Sequence, residues 1–337
     1  LAMDKPYRSL RAAFGNVAFL ASKETYQEQR PVLYAPFTGA KMVQYVRIMQ
    51  DVIQRWLDGL GAAGEMEISG EIGRLVQRVA GYALMGDDFQ QKAGQEFWAL
   101  YAELGKSIDL ATPPDWPLPK NIRRDRAKNR MRAILAPIIA ERRQNPERYD
   151  DFLQDFVNAR LKNGELMDDE SISSLIRGLM FAGHETTAGQ AAWTVIELLR
   201  HPEAQARVQA EITEHLPPGT PIDGGVMRKM QNLAWSVREI ERMHPSADIL
   251  MRYAEEDLEV GDYVVPKGWL VTVVAGVAHR LPTLFRDPDR FDPLRYAPDR
   301  AEDAQHRFAL IGFGGGMHKC AGVNFANNEM MIITALL

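Results

Sequence analysis

The stretch Phe313-Gly-Gly-Gly-Met-His-Lys-Cys-Ala-Gly322 is the most informative part of the sequence for fold and function, because it holds the only cysteine among 337 residues. Glycines precede Cys320, and the apolar pattern of a final helix begins at about the same residue. N–H groups at the start of a helix stabilise a thiolate, and glycines let the backbone approach something large and flat. A thiolate in this setting suits an iron atom, above all the iron of haem.

The residues alone leave two other interpretations of this stretch open. A lone cysteine is most often a buried apolar side chain, and a glycine-rich loop can hold phosphate. The dinucleotide pattern G-x-G-x-x-G beginning at Gly312 fails, because Met317 stands where the last glycine belongs. A single cysteine also excludes an intrachain disulfide and a zinc site built on several thiolates.

Composition limits the class of partner. The chain has 40 basic and 45 acidic side chains, a net charge of −5, which gives no electrostatic reason to expect nucleic acid or an anionic membrane surface. Apolar runs stay shorter than the roughly 18 residues that a membrane-spanning helix needs. The sequence begins without a start methionine and ends within an apolar helical pattern, so we expect a fragment that lacks both ends of a longer protein.

Helical periodicity dominates the first three quarters of the chain, and short alternating segments with Gly and Pro turns follow it. We predict a single domain, 1–337, that is mainly α-helical with a small β part. The predicted helices cover 42–60, 68–85, 89–104, 123–143, 168 or 169 to 200, 202–215, 226–243 and 320 to the end. The predicted strands cover 258–260, 263–265 and 270–274.

Four motifs, in matching order and spacing, resemble those of the cytochrome P-450 superfamily. They are F-x-x-G-x-x-x-C-x-G at 313–322, [AG]-G-x-[DE]-T-[TS] at 182–187, E-x-x-R at 239–242 and F-x-P-x-R-[FW] at 291–296, where this chain has Tyr296. The resemblance covers nearly the whole chain. It implies a cytochrome P-450-like fold with a long central helix over haem b (iron protoporphyrin IX), and it implies Cys320 as the axial ligand of the haem iron.

Further residues receive roles from this resemblance. Phe313, Gly316 and Gly322 shape the loop that binds the cofactor. In the central helix, Gly183 leaves room beside the iron, and Glu185 and Thr186 are the catalytic acid and alcohol that deliver protons. The residues alone also allow a helix bent for packing, with Glu185 merely solvated.

The haem propionates need cationic or hydrogen-bonding partners. The family supplies them at positions that correspond to His318, Arg252 and Arg30, with Tyr7 a weaker candidate. The aromatic residue four positions before Arg30 is Tyr26, where the family has Trp. The resemblance gives Glu239, Arg242 and Arg295 a structural role, in which the second arginine locks the E-x-x-R helix against the segment that leads to the cysteine.

The nearest likeness is to the bacterial sterol 14α-demethylase-like branch, judged by His244-Pro245, by 249–252 and by Phe14-Gly15. Two departures argue against the sterol reaction itself. That branch usually has a histidine where Glu185 stands, and Asp248 brings a carboxylate into a strand that is normally apolar and lines the pocket. Asp248 either meets a polar substrate or points away from the cavity.

The predicted function is a monooxygenase that inserts one atom of O2 into a C–H bond of a small apolar molecule, such as a sterol, fatty acid or terpenoid-like compound. Electrons would come from a separate ferredoxin or flavodoxin with an NAD(P)H-dependent reductase, and the expected location is the cytoplasm. Two alternatives stay open, a haem-binding sensor or carrier without turnover and a peroxide-using haem-thiolate enzyme.

Overall fold

The computed structural model describes residues 6–17, 20–109 and 111–337. Helices α1 to α13 are Arg8–Phe14, Lys23–Tyr34, Gly39–Asp58, Ile68–Phe89, Gln95–Gly105, Pro119–Gln144, Phe152–Asn158, Asp169–Arg200, Pro202–His215, Gly224–Lys229, Gln231–Met243, Ala275–Ala278 and Val323–Leu336. Strands β1 to β4 are Ile249–Tyr253, Leu258–Val260, Tyr263–Val265 and Leu270–Val274. Strand β1 pairs with β4, and β2 pairs with β3 in antiparallel fashion. The predicted fold class is confirmed.

The long helix α8 begins where the sequence predicts. Asp168 caps it, since its Oδ1 accepts the backbone N–H of Ser171 at 2.9 Å. The helix then continues without interruption through Gly183 and the paired threonines to Arg200. Strands β2, β3 and β4 also match the predicted segments residue for residue.

The structure also has elements outside the predicted segments, among them α1, α2, α7 and β1, and several helix boundaries differ from prediction, three of them for a visible reason in the backbone. The predicted helix 226–243 is two helices, because Met230 leaves the helical region (φ −82°, ψ 63°) between α10 and α11. The predicted helix 89–104 begins late: α4 runs on to Phe89 through a kink at Gly86, and the π-helical segment Gln90–Gly94 precedes α5. The last helix starts at Val323 rather than near Cys320, since a 3₁₀ turn and an irregular segment come first.

The chain divides into two compact units. The first comprises Leu1–Pro36, Gly81–Ala182 and Met251–Thr272. In it α5 packs on α6, α1 contacts both, and the rings of Phe14 and Phe181 stack at 4.4 Å.

The second unit comprises Phe37–Ala80, Gly183–Leu250 and Val273–Leu337. In it α3 packs on α13, and α11 packs on α9 and α13. The apolar face of α11 is formed by Leu233, Val237 and Ile240, which are buried at helical spacing. Among the helices that the structure describes, none has the combined length and apolar character needed to cross a bilayer.

Candidate functional site

The cysteine lies in an irregular loop, residues 311–322, that two backbone hydrogen bonds close. The N–H of Gly314 donates to the carbonyl of Ile311 at 2.8 Å, and the N–H of Cys320 donates to the carbonyl of Phe313 at 2.9 Å. Gly316 has a φ of +62°, a left-handed conformation that costs a residue with a Cβ roughly 1 kcal/mol or more. We call this segment the cysteine loop.

The thiol of Cys320 is exposed on one side, and protein groups surround it on the others. The loss of water around the sulfur raises the pKa of the Cys320 thiol. The N–H of Gly322 acts in the opposite direction, as the sequence led us to expect, but desolvation outweighs it. A thiol in this setting becomes a thiolate when it coordinates a metal cation.

The residues present fit a haem. A Cβ built on Gly183 or on Gly316 would meet nothing within 4 Å, so both glycines border open space. Met317 exposes 44% of its surface within the cysteine loop, which gives an apolar contact for a flat ring. In the described parts of the chain, no group of three or more His, Cys, Asp or Glu residues could hold a metal ion by itself. Haem needs only one or two axial ligands, and a cysteine thiolate is one of its ordinary axial ligands.

A buried ionic network supports the segment that leads to this loop. The side chains of Glu239, Arg242 and Arg295 have no exposed surface. Arg242 donates to both carboxylate oxygens of Glu239 at 2.9 Å, and Nε of Arg295 donates to the same oxygens at 3.0 and 3.1 Å. The hydroxyl of Tyr296 donates to Oε2 of Glu239 at 3.0 Å. The three charged residues thus form the structural network that the motifs predicted.

The remaining guanidinium N–H groups hold the backbone between residues 279 and 290. The carbonyls that accept from Arg242 belong to His279 (3.0 Å), Pro288 (2.6 Å) and Arg290 (3.2 Å). Arg295 donates to the carbonyl of Arg286 at 2.8 Å and to Oε2 of Glu302 at 2.7 Å. One buried network therefore fixes this irregular stretch against α11.

His279 joins α11 directly to the start of the cysteine loop. Its Nδ1 lies 3.1 Å from the carbonyl of Arg242, and its Nε2 accepts the N–H of Ile311 at 2.9 Å. These bonds require a neutral ring with the proton on Nδ1. Burial lowers the pKa of His279 to about 4. No sequence motif singled this residue out.

In α8, the predicted proton-delivery residues occupy different environments. The side chain of Glu185 is 65% exposed and lies 3.4 Å from Nδ1 of His184. Thr186 is half-buried, and its backbone carbonyl accepts a hydrogen bond from the hydroxyl of Ser246 at 2.9 Å. Nε2 of His184 lies 3.1 Å from the carbonyl of Gly73. Contacts with α4 and with the turn after α11 thus position this part of α8, and no sequence motif pointed to Ser246.

Asp248 is engaged by the backbone. Its Oδ1 accepts the N–H of Gly276 at 2.6 Å, and its carbonyl accepts the N–H of Ala275 at 2.7 Å. The carboxylate therefore holds the start of α12, a role that needs no polar substrate.

The candidate propionate partners are distributed over both units. In the first unit, Arg30 is exposed and lies over the ring of Tyr34 at 4.7 Å. Arg252 donates to the carbonyl of Met251 at 2.7 Å, and the hydroxyl of Tyr7 accepts the N–H of Met251 at 2.9 Å. Tyr7 and Arg252 therefore both bond to the backbone of Met251 in β1.

In the second unit, His318 is half-buried and ends the 3₁₀ turn of the cysteine loop. Gly322 precedes α13, and a Cβ there would make only ordinary contacts, 3.6 Å from the Phe37 ring and 4.0 Å from the Cys320 sulfur. Phe313 is half-buried, and its carbonyl is the acceptor for Cys320.

The buried network predicts a large stability loss for Arg242→Ala. The substitution leaves Glu239 buried without two of its hydrogen-bond donors and without one of its two arginine partners, so the free energy of unfolding should fall by about 3–5 kcal/mol. Urea denaturation measures it. The matched control is Arg74→Ala, which removes an exposed Glu–Arg pair with the same three-residue spacing in α4 and should change the free energy of unfolding little, because water screens the pair. Equal losses in the two variants would contradict the role of the network.

His279 predicts acid sensitivity. The unfolded imidazole takes up a proton near pH 6.5, whereas the folded one resists until about pH 4, so acidification through this window favours unfolding. This residue then contributes about 3 kcal/mol at pH 7, all of which is lost below about pH 4. Urea midpoints measured at pH 7 and pH 5 should differ less in His279→Gln than in the parent. The exposed-site control His306→Gln should keep the parental difference; identical behaviour of all three would refute the assignment.

The cytochrome P450 family model matches residues 4–337. The chain is 32% identical over 340 residues to the sterol 14α-demethylase of Mycobacterium tuberculosis, which covers 99% of this chain and 75% of that protein. It is 31% identical over 346 residues to the sterol 14-demethylase of Arabidopsis thaliana, covering 99% and 70%. The solved structure of retinoic acid-bound cyanobacterial CYP120A1 superposes with a TM-score of 0.86 at 28% identity, over 96% of this chain and 74% of that one. The chain therefore belongs to the cytochrome P450 family and is a haem-dependent monooxygenase.

Proposed function

We propose that this monooxygenase hydroxylates a rigid, apolar, isoprenoid-derived molecule, with Cys320 as the axial ligand of its haem iron. The observation that carries the ligand assignment is the exposed thiol, held in a loop that hydrogen bonds and a buried ionic network fix in place. The substrate class rests on the relatives, since the curated ones act on sterols and the solved one holds retinoic acid. Sterols and retinoic acid both have a largely apolar skeleton built from isoprene units.

Haem supplies the iron at which dioxygen binds and is reduced. The chain's own part on the distal side is to hold and move protons. Glu185 is exposed enough to exchange protons with water, and the half-buried hydroxyl of Thr186 on the next residue can pass one inward. The Ser246 hydroxyl, bonded to the carbonyl of Thr186, keeps this turn of α8 in position. Binding without turnover would need no such acid and alcohol.

On the cofactor's edge, cationic and hydrogen-bonding groups would hold the propionates. Arg30, Arg252 and His318 are the side chains we assign to this role, with Phe313, Gly316 and Gly322 forming the loop against the ring and Gly183 leaving space on the opposite side. Within the described residues, one guanidinium nitrogen of Arg252 donates to the Met251 carbonyl, and the other N–H groups can donate to a carboxylate.

Electrons come, in this proposal, from a separate ferredoxin or flavodoxin with an NAD(P)H-dependent reductase. Lys319 supports it, because it places an exposed positive charge beside the ligand cysteine, where an acidic carrier can approach.

Two absorption measurements on the haem-loaded protein test the proposal. The ferrous carbon-monoxide difference spectrum tests the ligand, and a titration of the ferric protein tests the substrate class. The parent should show the long-wavelength band of thiolate ligation, and Cys320→His should show the band of a nitrogen ligand, whereas Lys319→Gln should keep the parental band. Additions of lanosterol, obtusifoliol and retinoic acid should shift the ferric spin state for at least one of them. A thiolate band that survives in Cys320→His would refute the ligand assignment, and three silent titrations would refute the substrate class.

Thr186→Ala should uncouple oxygen consumption from product. Loss of the hydroxyl removes the proton donor, so product per NAD(P)H should fall several-fold while NAD(P)H consumption continues. The assay uses ferredoxin and flavodoxin systems in parallel and the substrate that gives a spin shift. Thr194→Ala, which removes a buried hydroxyl bonded to Gln190 two turns further along α8, is the matched control. Unchanged coupling in Thr186→Ala would remove the relay from the mechanism.

A further inference from the structure

A second glutamate of the E-x-x-R segment lies against the cysteine loop. Glu241 is on α11 two residues after Glu239, and its side chain packs on the backbone of Gly312. A Cβ at Gly312 would come within 2.5 Å of Cγ and 3.0 Å of Oε1 of Glu241, so any other residue there would displace the carboxyl group. The side chain thus fits closely over the start of the loop.

This carboxyl group acts on the loop backbone. The N–H groups of Gly312 and Phe313 serve as hydrogen-bond donors to it. The carbonyl of Phe313 is in turn the acceptor for the N–H of Cys320. A short path therefore runs from Glu241 through Phe313 to the residue that carries the sulfur.

The charge of Glu241 also reaches the sulfur, since it contributes to raising the pKa of the Cys320 thiol. Lys319 acts on the thiol in the opposite direction. Arg238, one turn earlier on α11, favours the ionised form of Glu241. Asp303, which forms an ion pair with Arg238, has a negative charge that disfavours the ionised form of Glu241. Desolvation is the largest effect and raises the pKa of Glu241 to about 7.

Several charged residues of α11 and of the elements packed against it are engaged elsewhere, and Glu329 of α13 is fully buried, with its pKa raised by desolvation alone. Arg242 and Arg295 bind Glu239, and Glu302 binds Arg295 and Arg300. The groups that shift the pKa of Glu241 are therefore Arg238 from its own helix, Asp303 from the 302–304 turn, and the backbone N–H groups of Gly312 and Phe313 in the cysteine loop.

We propose that Glu241 is a positioning residue for Cys320: its carboxyl group holds the start of the cysteine loop, and its charge sets the reduction potential of the iron bound to that sulfur. The inference rests on the proposed role of Cys320 as ligand. A carboxylate near an iron–sulfur bond favours the ferric state, which has one more positive charge than the ferrous state. Protonation of Glu241 removes this preference.

The test measures the midpoint potential of the haem-loaded protein between pH 6 and pH 8. In the parent the potential should fall as pH rises through about 7, because Glu241 becomes ionised. Glu241→Gln keeps the size of the side chain without the charge, so its potential should be higher at pH 8 and nearly flat over this range. Glu203→Gln, an exposed carboxylate of α9 in the same unit, should follow the parent curve. Superimposable curves for the parent and Glu241→Gln would overturn the proposal.

A second experiment measures the alkylation of Cys320 in the protein before haem is added. Cys320 is the only cysteine, so the rate of iodoacetamide uptake reports its thiol directly. Glu241→Gln should react faster than the parent and Glu203→Gln at pH 8, because removal of the negative charge lowers the pKa of the thiol. Equal rates would again count against Glu241.

The carbon-monoxide spectrum separates failure of this inference from failure of the ligand assignment. A thiolate band combined with equal potentials overturns only the role of Glu241. Absence of that band overturns the ligand assignment, and the alkylation rates then still decide whether Glu241 acts on the thiol.

Discussion

The carboxylate of Glu239 is the constraint on which the second unit depends. Two guanidinium groups and a phenol donate to its two oxygens in a place that water does not reach. Buried cations are tolerable only when they are paired and all their donors are satisfied, and both arginines use their spare N–H groups on backbone carbonyls. The long irregular segment between β4 and the cysteine loop has little regular secondary structure of its own. Its conformation is therefore set by charge neutralisation rather than by helix or sheet pairing.

The electrostatics of the cysteine follow from this rigidity. The loop surrounds the sulfur with enough protein to raise the pKa of the thiol while leaving one face open. Gly322 and Lys319 favour the thiolate, and Glu241 opposes it, so the charge on the sulfur is set by groups that the loop and α11 hold in place. The thiolate form of Cys320 is unfavourable without a metal and favourable beside a metal cation. Such a ligand is suited to donating electron density to iron.

The sequence predicted the parts of this arrangement that repeat or that lie in short motifs. The alternation at 258–260, the period of α8 and the capping position of Asp168 are local signals, and the structure confirms them. The resemblance of two motifs to those of the family likewise identified Glu239, Arg242 and Arg295 as members of the buried network. The break at Met230 escaped prediction, because apolar periodicity continues across it and only the backbone angles of one residue interrupt the helix.

Residues that act through one or two long-range hydrogen bonds were not predicted either. His279 and Ser246 lie in irregular or turn segments, and each meets a partner that is 32 to 60 residues away along the chain. Glu241 is a further example, since nothing in the sequence of its own helix shows that Gly312 packs against it. Such contacts depend on tertiary placement, so no period or motif encodes them.

The partners of Arg242 also bear on how the protein is made. Its acceptors at residues 279, 288 and 290 leave the ribosome after α11 itself, and Arg295 follows them. Until that later segment has been synthesised, α11 carries an ion pair that cannot be buried without leaving donors unsatisfied. The second unit must therefore wait for its C-terminal part before it can close, and nascent chains that stop short of residue 295 are expected to depend on chaperones.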